Sequence, residues 1–224
     1  MADAPGEHRS QHWETNRVEA FSDGVFAIAI TLLVLEISVE PGDFDHLGRA
    51  LVDEWPAYLA YVTSFLTVGS VWIAHHNLFT RLRYVDAVLL RINLFLLLFA
   101  AFLPFPTGVL AESFHASERA ERVAIIFYGG TALVIELLLQ AGVRYAEARP
   151  ALAVSASPGG PPPPPRPERG WRAVIGSAAY AVAILAGIFI FPRLAAIGYL
   201  LVALRGVLVV GGEGRLGLRG LRAK

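Results

Sequence analysis

Long apolar stretches separated by short polar segments dominate the hydropathy pattern of this 224-residue chain. A helix needs about 20 mostly apolar residues to cross the hydrocarbon core of a bilayer. Six stretches approach that length, and we expect each to be a membrane-spanning helix, called the first to the sixth span. They are approximately Ala20–Val39, Trp55–His75, Leu89–Leu110, Val123–Val143, Trp171–Phe191 and Leu194–Val210. The pattern predicts an all-α, polytopic membrane protein with six transmembrane helices.

The last two spans are less regular than the first four. Only Pro192-Arg193 separates them, which predicts a tight hairpin, and the short sixth span carries Arg205 near its end. Before them lies the segment SASPGGPPPPPRPERG, Ser155 to Gly170. Its five consecutive prolines exclude a helix and favour an extended, solvated loop. This loop is either a simple linker or a docking site for a partner.

The composition supports the membrane class. Hydrophobic residues make up 55% of the chain and charged residues 17%, and the mean hydropathy is +0.53. A soluble domain of this size could not bury so much apolar surface. The net charge is zero, so charge gives no case for nucleic-acid binding. Cysteine is absent, which excludes disulfides and thiolate metal sites.

Arginine placement predicts the orientation, because positive residues collect on the cytoplasmic side of a membrane protein. With the N-terminus inside, fifteen of the 19 positive residues fall on the inner side; the exceptions are Arg49, Arg119, Arg122 and Arg193. Both termini are therefore expected in the cytoplasm. We divide the chain into a cytoplasmic segment (1–19), a transmembrane domain (20–210) that includes a proline-rich cytoplasmic loop (146–170), and a basic cytoplasmic tail (211–224).

The first span contains polar residues that a simple membrane helix would not need. At helical spacing, one face carries an apolar stripe with a single hydroxyl: Phe21, Gly24, Ile28, Thr31/Leu32 and Leu35. Asp23 lies on another face, and an ionised carboxylate at a membrane edge predicts an intramolecular partner. Alternatively, Ser22 and Asp23 cap the start of the helix.

The second and third spans offer partners at the same depth. Trp72, His75, His76 and Asn77 end the second span on the inner side, and Arg91 and Asn93 open the third. We expect a buried hydrogen-bonded cluster of Arg17, Ser22, Asp23, Trp72, a histidine and Asn93. The histidine pair could instead simply lie at the interface. A metal site is not expected there, because adjacent helical residues point about 100° apart.

These residues also carry a family resemblance. The pattern Arg17-x-x-x-Phe21-Ser22-Asp23, followed by GVFAIAITLLVLEI, resembles the signature of the transmembrane protein 175 potassium channel family. The stretches SFLTVGSVWIAHHNLF and RINLFLLLFAAFLPFPT are similar to that family's second and third helices. The last three spans match only in number and hydrophobicity. No TVGYG-like filter loop is present.

The resemblance implies a fold, an assembly and an activity. Members are cation channels of animal endolysosomes and of prokaryotes, and a single six-helix unit is similar to the prokaryotic type. That type assembles as a homotetramer around the first helix, so the resemblance implies a potassium-permeable channel in a prokaryotic plasma membrane. It implies potassium ions, the lipid bilayer and further copies of the chain as partners, no cofactor, and potassium in transit without a fixed ligand site.

The resemblance also assigns roles to residues. Apolar side chains of the first helix form the narrowest rings of the family's pore, and the matching positions are Ile28, Leu32 and Leu35, with Thr31 adding a hydroxyl layer. Supporting hydrogen bonds and packing would come from a second set: Arg17, Phe21, Ser22, Asp23, Trp72, His75, His76 and Asn93.

Several other polar or helix-breaking residues need an interpretation. Glu36 and Glu40 would form an acidic outer mouth or simply be solvated at the interface. Glu136 and Gln140 are neighbours at i, i+4 in the fourth span, where they serve a function or bond a neighbouring helix. Pro104 and Pro106 should break or bend the third span.

The sequence gives less support to two other function classes. A proton-coupled secondary transporter would use Asp23, His75 and Glu136, but the internal repeats and broken mid-membrane helices typical of transporters are not found. An intramembrane enzyme is the weakest alternative, since the sequence has no GxSxG or HExxH motif. We therefore expect a channel rather than an enzyme.

Overall fold

The computed structural model describes residues 13–39, 41–154, 178–182, 184–185 and 192–219, and these are mostly helical. In chain order the helices are α1 (Thr15–Leu32), α2 (Leu47–Asp53), α3 (Trp55–Phe79), α4 (Ala87–Phe102), α5 (Pro104–Ser113), α6 (Glu118–Glu147) and α7 (Pro192–Arg219). Short 3-10 turns cover Leu33–Glu36, Pro41–His46 and Pro150–Leu152. A two-stranded ribbon pairs β1 (Trp13–Glu14) with β2 (Tyr84–Val85) in antiparallel fashion.

Four described segments are long and apolar enough to cross a membrane: Thr15–Glu36, Trp55–Phe79, Ala87–Ser113 and Glu118–Glu147. They confirm the first four predicted spans as helices. The apolar part of α7, Ala195–Leu208, is shorter. Most of the predicted fifth span, Trp171–Phe191, and the proline-rich residues 155–170 lie outside the described residues. The count of six spans stays a prediction.

Proline breaks the third span at the predicted place. Helix α4 ends at Phe102, and α5 begins at Pro104 with a buried Leu103 between them. A proline inside a helix lacks the N–H of the i→i−4 bond and its ring clashes with the preceding turn, whereas at a first helical position it fits. The predicted break is confirmed, and the two helices remain one apolar segment.

The main core lies where the spans meet and contains many small residues. Ala57, Ala60, Ala100, Ala132 and Ala195 are each at most 4% exposed in this cluster. Small side chains let membrane helices approach closely, because packing rather than water exclusion drives their association in lipid. Larger side chains fill the remaining space, with Phe26, Leu103, Ile125, Tyr128 and Tyr199 fully buried.

A second, smaller core lies at the end of the bundle that holds the ribbon, called here the ribbon end. Val18, Phe79, Val85, Leu89 and Leu152 are buried together there. Arg83 N–H donates to the Leu152 carbonyl (2.8 Å), and Val154 N–H donates to the Arg81 carbonyl (2.9 Å). Residues 148–154, part of the predicted loop, therefore pack against the connection between α3 and α4.

The first helix begins earlier than its hydropathy indicates. We expected it to start near Ala20, but α1 begins at Thr15, directly after β1. Ser22 and Asp23 consequently lie about two turns inside the helix, where the backbone N–H groups already have intrahelical partners. The alternative that these two residues cap the helix is wrong.

Candidate functional site

Helix α1 has one face packed against the bundle and one face without a partner among the described residues of the chain. Its buried residues Val18, Ser22, Phe26 and Ala29, continued by Leu33, follow one another at helical spacing. They contact the second and third spans through the main core and the ribbon-end core. The opposite face is exposed and apolar, and it carries the stripe found in the sequence.

The proposed pore residues all lie on that exposed face. Ile28, Leu32 and Leu35 are 60%, 40% and 69% exposed, whereas Ile30 is partly buried and packs against the main core. The backbone tightens to a 3-10 turn from Leu33 to Glu36, and side chains at i and i+3 eclipse in that geometry. Leu35 therefore lies nearly above Leu32, and not turned from it as a continuous α-helix would place it.

Thr31 adds a hydroxyl to the same face. Its Oγ1 donates to the Ile28 carbonyl (2.9 Å), three residues earlier in the same helix. The single hydroxyl hydrogen is thus used within the helix. The oxygen lone pairs remain on an exposed side chain, so Thr31 can present an acceptor to a cation.

The buried face holds a directional chain of hydrogen bonds. Ser22 Oγ donates to the Val18 carbonyl (2.8 Å), and Asn93 Nδ2 donates to Ser22 Oγ (3.0 Å). Asn93 Oδ1 lies 2.9 Å from His75 Nε2. All three side chains are at most 3% exposed, so three spans are joined by polar groups away from solvent.

Asp23 is bonded separately, closer to the surface. The Trp72 indole N–H donates to Asp23 Oδ1 (2.8 Å), which gives the carboxylate the intramolecular partner that its depth required. The indole ring stacks on His76 with centroids 6.1 Å apart. His76 Nδ1 lies 2.8 Å from Glu19 Oε1, one turn before Asp23. Glu19 was missed by the sequence reasoning, although its i−4 spacing from Asp23 placed it on the same side of the helix.

One member of the expected cluster, Arg17, and one of the expected supporting residues, Phe21, lie apart from it. Arg17 is exposed and makes none of the hydrogen bonds that join these spans in the described residues. Phe21 is 58% exposed on the unpartnered face of α1. Within one chain, neither residue supports the cluster as the sequence led us to expect. The two histidines also divide their roles, with His75 buried and His76 exposed.

At the other end of the first span, Glu36 turns toward α5. Its carboxylate lies over Gly108, where a Cβ would collide with Glu36 Oε2. Gly108 leaves the space that this carboxylate occupies. Glu40 is outside the described residues, so an acidic mouth formed by the two glutamates stays a prediction.

Glu136 does not join the polar groups near the first span. Gln140 Nε2 donates to Glu136 Oε1 (2.9 Å), as the i, i+4 spacing indicated, and Arg205 of α7 interacts with Glu136 electrostatically. Among the described residues, no hydrogen bond links Glu136 to Asp23 or His75. Among the described side chains, the three groups named for a transporter are therefore not joined to one another by direct hydrogen bonds.

A further carboxylate fixes the ribbon end. Asp86 precedes α4 and accepts hydrogen bonds from Leu89 N–H (2.9 Å) and the Tyr145 hydroxyl (2.7 Å), and Arg149 lies 3.8 Å away. Partial burial raises the pKa of Asp86, but these hydrogen bonds and the Arg149 charge lower it more. The net effect is a pKa below the ordinary value. Asp86 is therefore ionised in the folded chain.

Comparison with known proteins points to one family. A family model described as "Endosomal/lysosomal potassium channel TMEM175" matches residues 17–104, which cover most of the first span, the second span and the first part of the third. A crystal structure described as a lysosomal potassium-selective channel TMEM175 homolog from Chamaesiphon minutus superposes with a TM-score of 0.73 at 34% identity. The match covers 88% of this chain and 97% of that one, so it extends to the later spans as well.

Curated bacterial proteins are similar over somewhat more than half of the chain. A potassium channel of Streptomyces collinus is 46% identical over 129 residues, which is 57% of this chain and 62% of that protein. A potassium channel of Chamaesiphon minutus is 42% identical over 141 residues, which is 62% of this chain and 66% of that protein. This chain thus spans slightly less than two thirds of the length of either relative.

Proposed function

This chain belongs to the TMEM175 potassium channel family, and we propose that it is a potassium-permeable channel in which the first span lines the pore. Both bacterial relatives carry the name potassium channel, and the family is one of ion channels rather than enzymes. With four long apolar helices, the chain is a multi-pass membrane protein. We further propose a homotetramer in a prokaryotic cell membrane with both termini in the cytoplasm.

One observation carries the assignment of the pore to α1. The family motif lies on this helix. Ser22 on its buried face is hydrogen-bonded to a neighbouring helix, while the opposite face is apolar and has no partner among the described residues. A helix that only faced lipid would not need a buried hydrogen-bonded anchor to fix its rotation. The rotation of α1 about its own axis must be fixed if the exposed stripes of the four chains are to face a common pore axis.

The apolar stripe would act on ions through dehydration. Ile28, Leu32 and Leu35 offer no ligands, so an ion must lose part of its hydration shell at their rings or the constriction must stay wet. Potassium holds its water less tightly than sodium, so potassium meets the lower barrier and the selectivity is moderate. Thr31 supplies hydroxyl oxygens between the rings. A narrow apolar ring also closes by dewetting.

Potassium and sodium currents through purified protein in bilayers test this proposal. Shortening Ile28, Leu32 or Leu35 to alanine should raise conductance or lower the preference for potassium. The current should rise by a factor of roughly ten for each 1.4 kcal/mol removed from the barrier. Ile30→Ala is the matched control, because the same methyl groups are removed from a side chain packed against the core. Ile30→Ala should lower stability and leave ion preference unchanged.

Currents are compared at equal protein abundance, with assembly checked by cross-linking. If all four variants change ion preference equally, or if the first three change nothing, α1 does not line the pore. A monomeric protein that conducts would contradict the tetramer separately.

A further inference from the structure

The hydrogen bonds between the first three spans determine which nitrogen of His75 carries the proton. Ser22 spends its only hydroxyl hydrogen on the Val18 carbonyl, so its oxygen must accept from Asn93 Nδ2. With the amide group oriented in this way, Asn93 Oδ1 faces His75 and can only accept. His75 Nε2 is therefore the donor and carries a hydrogen.

The other ring nitrogen is then a buried acceptor. In a neutral imidazole with a hydrogen on Nε2, Nδ1 has only a lone pair. His75 is 1% exposed, and its Nδ1 has no hydrogen-bond partner among the described residues. Phe79 stacks on the ring at 4.1 Å between centroids, and Phe26 meets it edge-on at 5.4 Å. Neither aromatic ring can donate a conventional hydrogen bond to this nitrogen.

A small cavity lies beside the same ring. It is bounded by α3, α4 and α6, and its polar lining comes from His75 and Asn93. The rest is apolar, including Leu78, Leu89 and Leu139. The cavity has a volume of about 10 Å³, the lower limit of the room that one water molecule requires.

We propose that this cavity binds one water molecule, which donates a hydrogen bond to His75 Nδ1. An unpaired acceptor buried at this depth is unfavourable, and a water held beside the ring would give it a hydrogen-bond donor. Asn93 also lines the cavity, and its amide has two hydrogens, of which the described bond to Ser22 uses one. The bound water completes the polar joint that anchors the first span.

A second proton on His75 would not give Nδ1 a hydrogen-bond partner among the described side chains. Its second N–H would need an acceptor, and the Asn93 oxygen in this lining already faces Nε2. The nearby charged groups are engaged elsewhere: Asp23 with Trp72, and His76 with Glu19. The cavity lining from α6 is apolar: Leu138, Leu139 and Gly142. The neutral, hydrated histidine is the arrangement that these groups support.

Gly142 permits a selective test in the intact protein. A Cβ at this position would lie 3.7–3.8 Å from Ile92, Leu78 and Leu89, all of which line the cavity, so Gly142→Ala fills the space without a clash. Gly130→Ala is the matched control on the same helix, since its Cβ would meet no atom within 4 Å. Both changes gain the same helix propensity.

The two possibilities for the cavity predict opposite shifts in the midpoint of thermal unfolding. If the cavity holds water, Gly142→Ala displaces it and strands Nδ1, so the midpoint should fall roughly 2–4 °C below that of Gly130→Ala. If the cavity is dry, the new methyl fills a void and Gly142→Ala should match or exceed Gly130→Ala. The second result would overturn the proposal.

Magnetic resonance of the wild-type protein in bilayers gives an independent readout. With ¹⁵N-labelled histidine, the His75 signals should show a protonated Nε2, an unprotonated Nδ1 and magnetisation transfer from water to Nδ1. An Nδ1 that carries a proton, or one without transfer from water, would refute the bound water whatever the alanine variants show.

Discussion

Single polar residues of the first span divide their bonds between two neighbouring helices. Ser22 bonds Asn93 of α4, while the next residue, Asp23, bonds Trp72 of α3. Adjacent helical side chains point about 100° apart, so one turn of α1 can hold two helices at once. The Arg-x-x-x-Phe-Ser-Asp motif thus contains the two residues that fix this helix in rotation.

Asp23→Ala should lower stability or assembly more than it alters ion preference. A hydrogen bond to a charged group contributes about 1.5–3 kcal/mol, and partial exposure places this one toward the lower value. Trp72→Phe removes the donor and keeps an aromatic ring, so it is the matched variant. The two losses should be similar, and the double variant should be little worse than either.

Thermal unfolding and cross-linking of both variants measure this effect. An Asp23→Ala protein that assembles and unfolds like the wild type, yet has lost potassium preference, would show that Asp23 faces the pore.

Asp86 predicts a pH dependence at the ribbon end. Its folded pKa is depressed below the ordinary value of 3.8, so ionised Asp86 stabilises the folded chain above that value. The stabilisation is lost as the pH falls through the folded pKa. Asp86→Ala also removes the hydrogen bond to Leu89 N–H, which should cost about 1 kcal/mol near neutral pH.

Unfolding midpoints of the wild type, Asp86→Ala and Asp86→Asn between pH 3 and 7 separate charge from capping. Asn retains an acceptor for Leu89 N–H, so it should lose only the charge-dependent part. The difference between wild type and Asp86→Asn should shrink toward acid pH; a difference that grows instead would contradict the assignment.

Much of the site at this scale could be read from the sequence, because membrane depth is nearly a one-dimensional property. The depth of Asp23, Trp72, His75 and Asn93 follows from their position within apolar stretches. Which donor meets which acceptor depends on helix rotation and crossing, which depth alone does not fix. The pairing of Glu19 with His76 and the exposure of Arg17 were missed for this reason.

At the level of elements, α6 and α7 pack through a glycine and a tyrosine. Tyr199 of α7 donates its hydroxyl hydrogen to the Ile125 carbonyl of α6 (3.0 Å). A Cβ at Gly129 would collide with that hydroxyl and lie only 2.7 Å from both Tyr199 Cζ and Ile184 Cγ1. The ring is rigid and fully buried, so it cannot move aside easily.

Gly129→Ala should therefore destabilise the bundle by about 1–3 kcal/mol, the usual effect of overpacking. Its neighbour provides the control, because a Cβ at Gly130 would meet nothing within 4 Å. Gly130→Ala should be neutral or slightly stabilising through helix propensity. Thermal unfolding compares the two, and equal midpoints would show that α7 does not pack against α6 at this point.

Hydropathy predicts the existence of the long helices better than their ends. The four confirmed spans are apolar for most of their length, and the break before Pro104 follows from proline chemistry. The start of α1 at Thr15 depends on the ribbon with β2, a contact between residues about 70 positions apart that periodicity cannot show. The 3-10 turn after Leu32 likewise has no clear sequence signal.

At the level of the whole molecule, the absence of cysteine makes the predicted orientation easy to measure. Arg81 and His115 are exposed in the connections on either side of the α4–α5 segment. In intact cells, a membrane-impermeant thiol reagent should label His115→Cys and should label Arg81→Cys only after permeabilisation. The reverse pattern would place both termini outside.

The proline-rich segment should be dispensable for conduction. Its prolines disfavour packed structure, and its predicted cytoplasmic position is away from the α1 stripe. Replacing Pro161–Pro165 with a flexible Gly/Ser linker of equal length should leave potassium flux within about twofold of wild type. Loss of flux in a correctly assembled variant would show that the segment acts in gating or coupling.

The first span is an α-helix up to Leu32 and a 3-10 helix over Leu33–Glu36, and this change of helix type determines where the last side chain of the stripe points. Over three residues, 3-10 geometry advances about 360° and 6 Å, against about 300° and 4.5 Å for an α-helix. If this turn rewound as an α-helix, Leu35 would rotate by about 60° around the helix axis. It would also move about 1.5 Å along the axis toward Leu32. Ile28 precedes the turn and would stay in place, because Ser22 and Asp23 hydrogen-bond that part of α1 to neighbouring helices. A twist confined to one turn can therefore misalign the outermost leucine without tilting any helix.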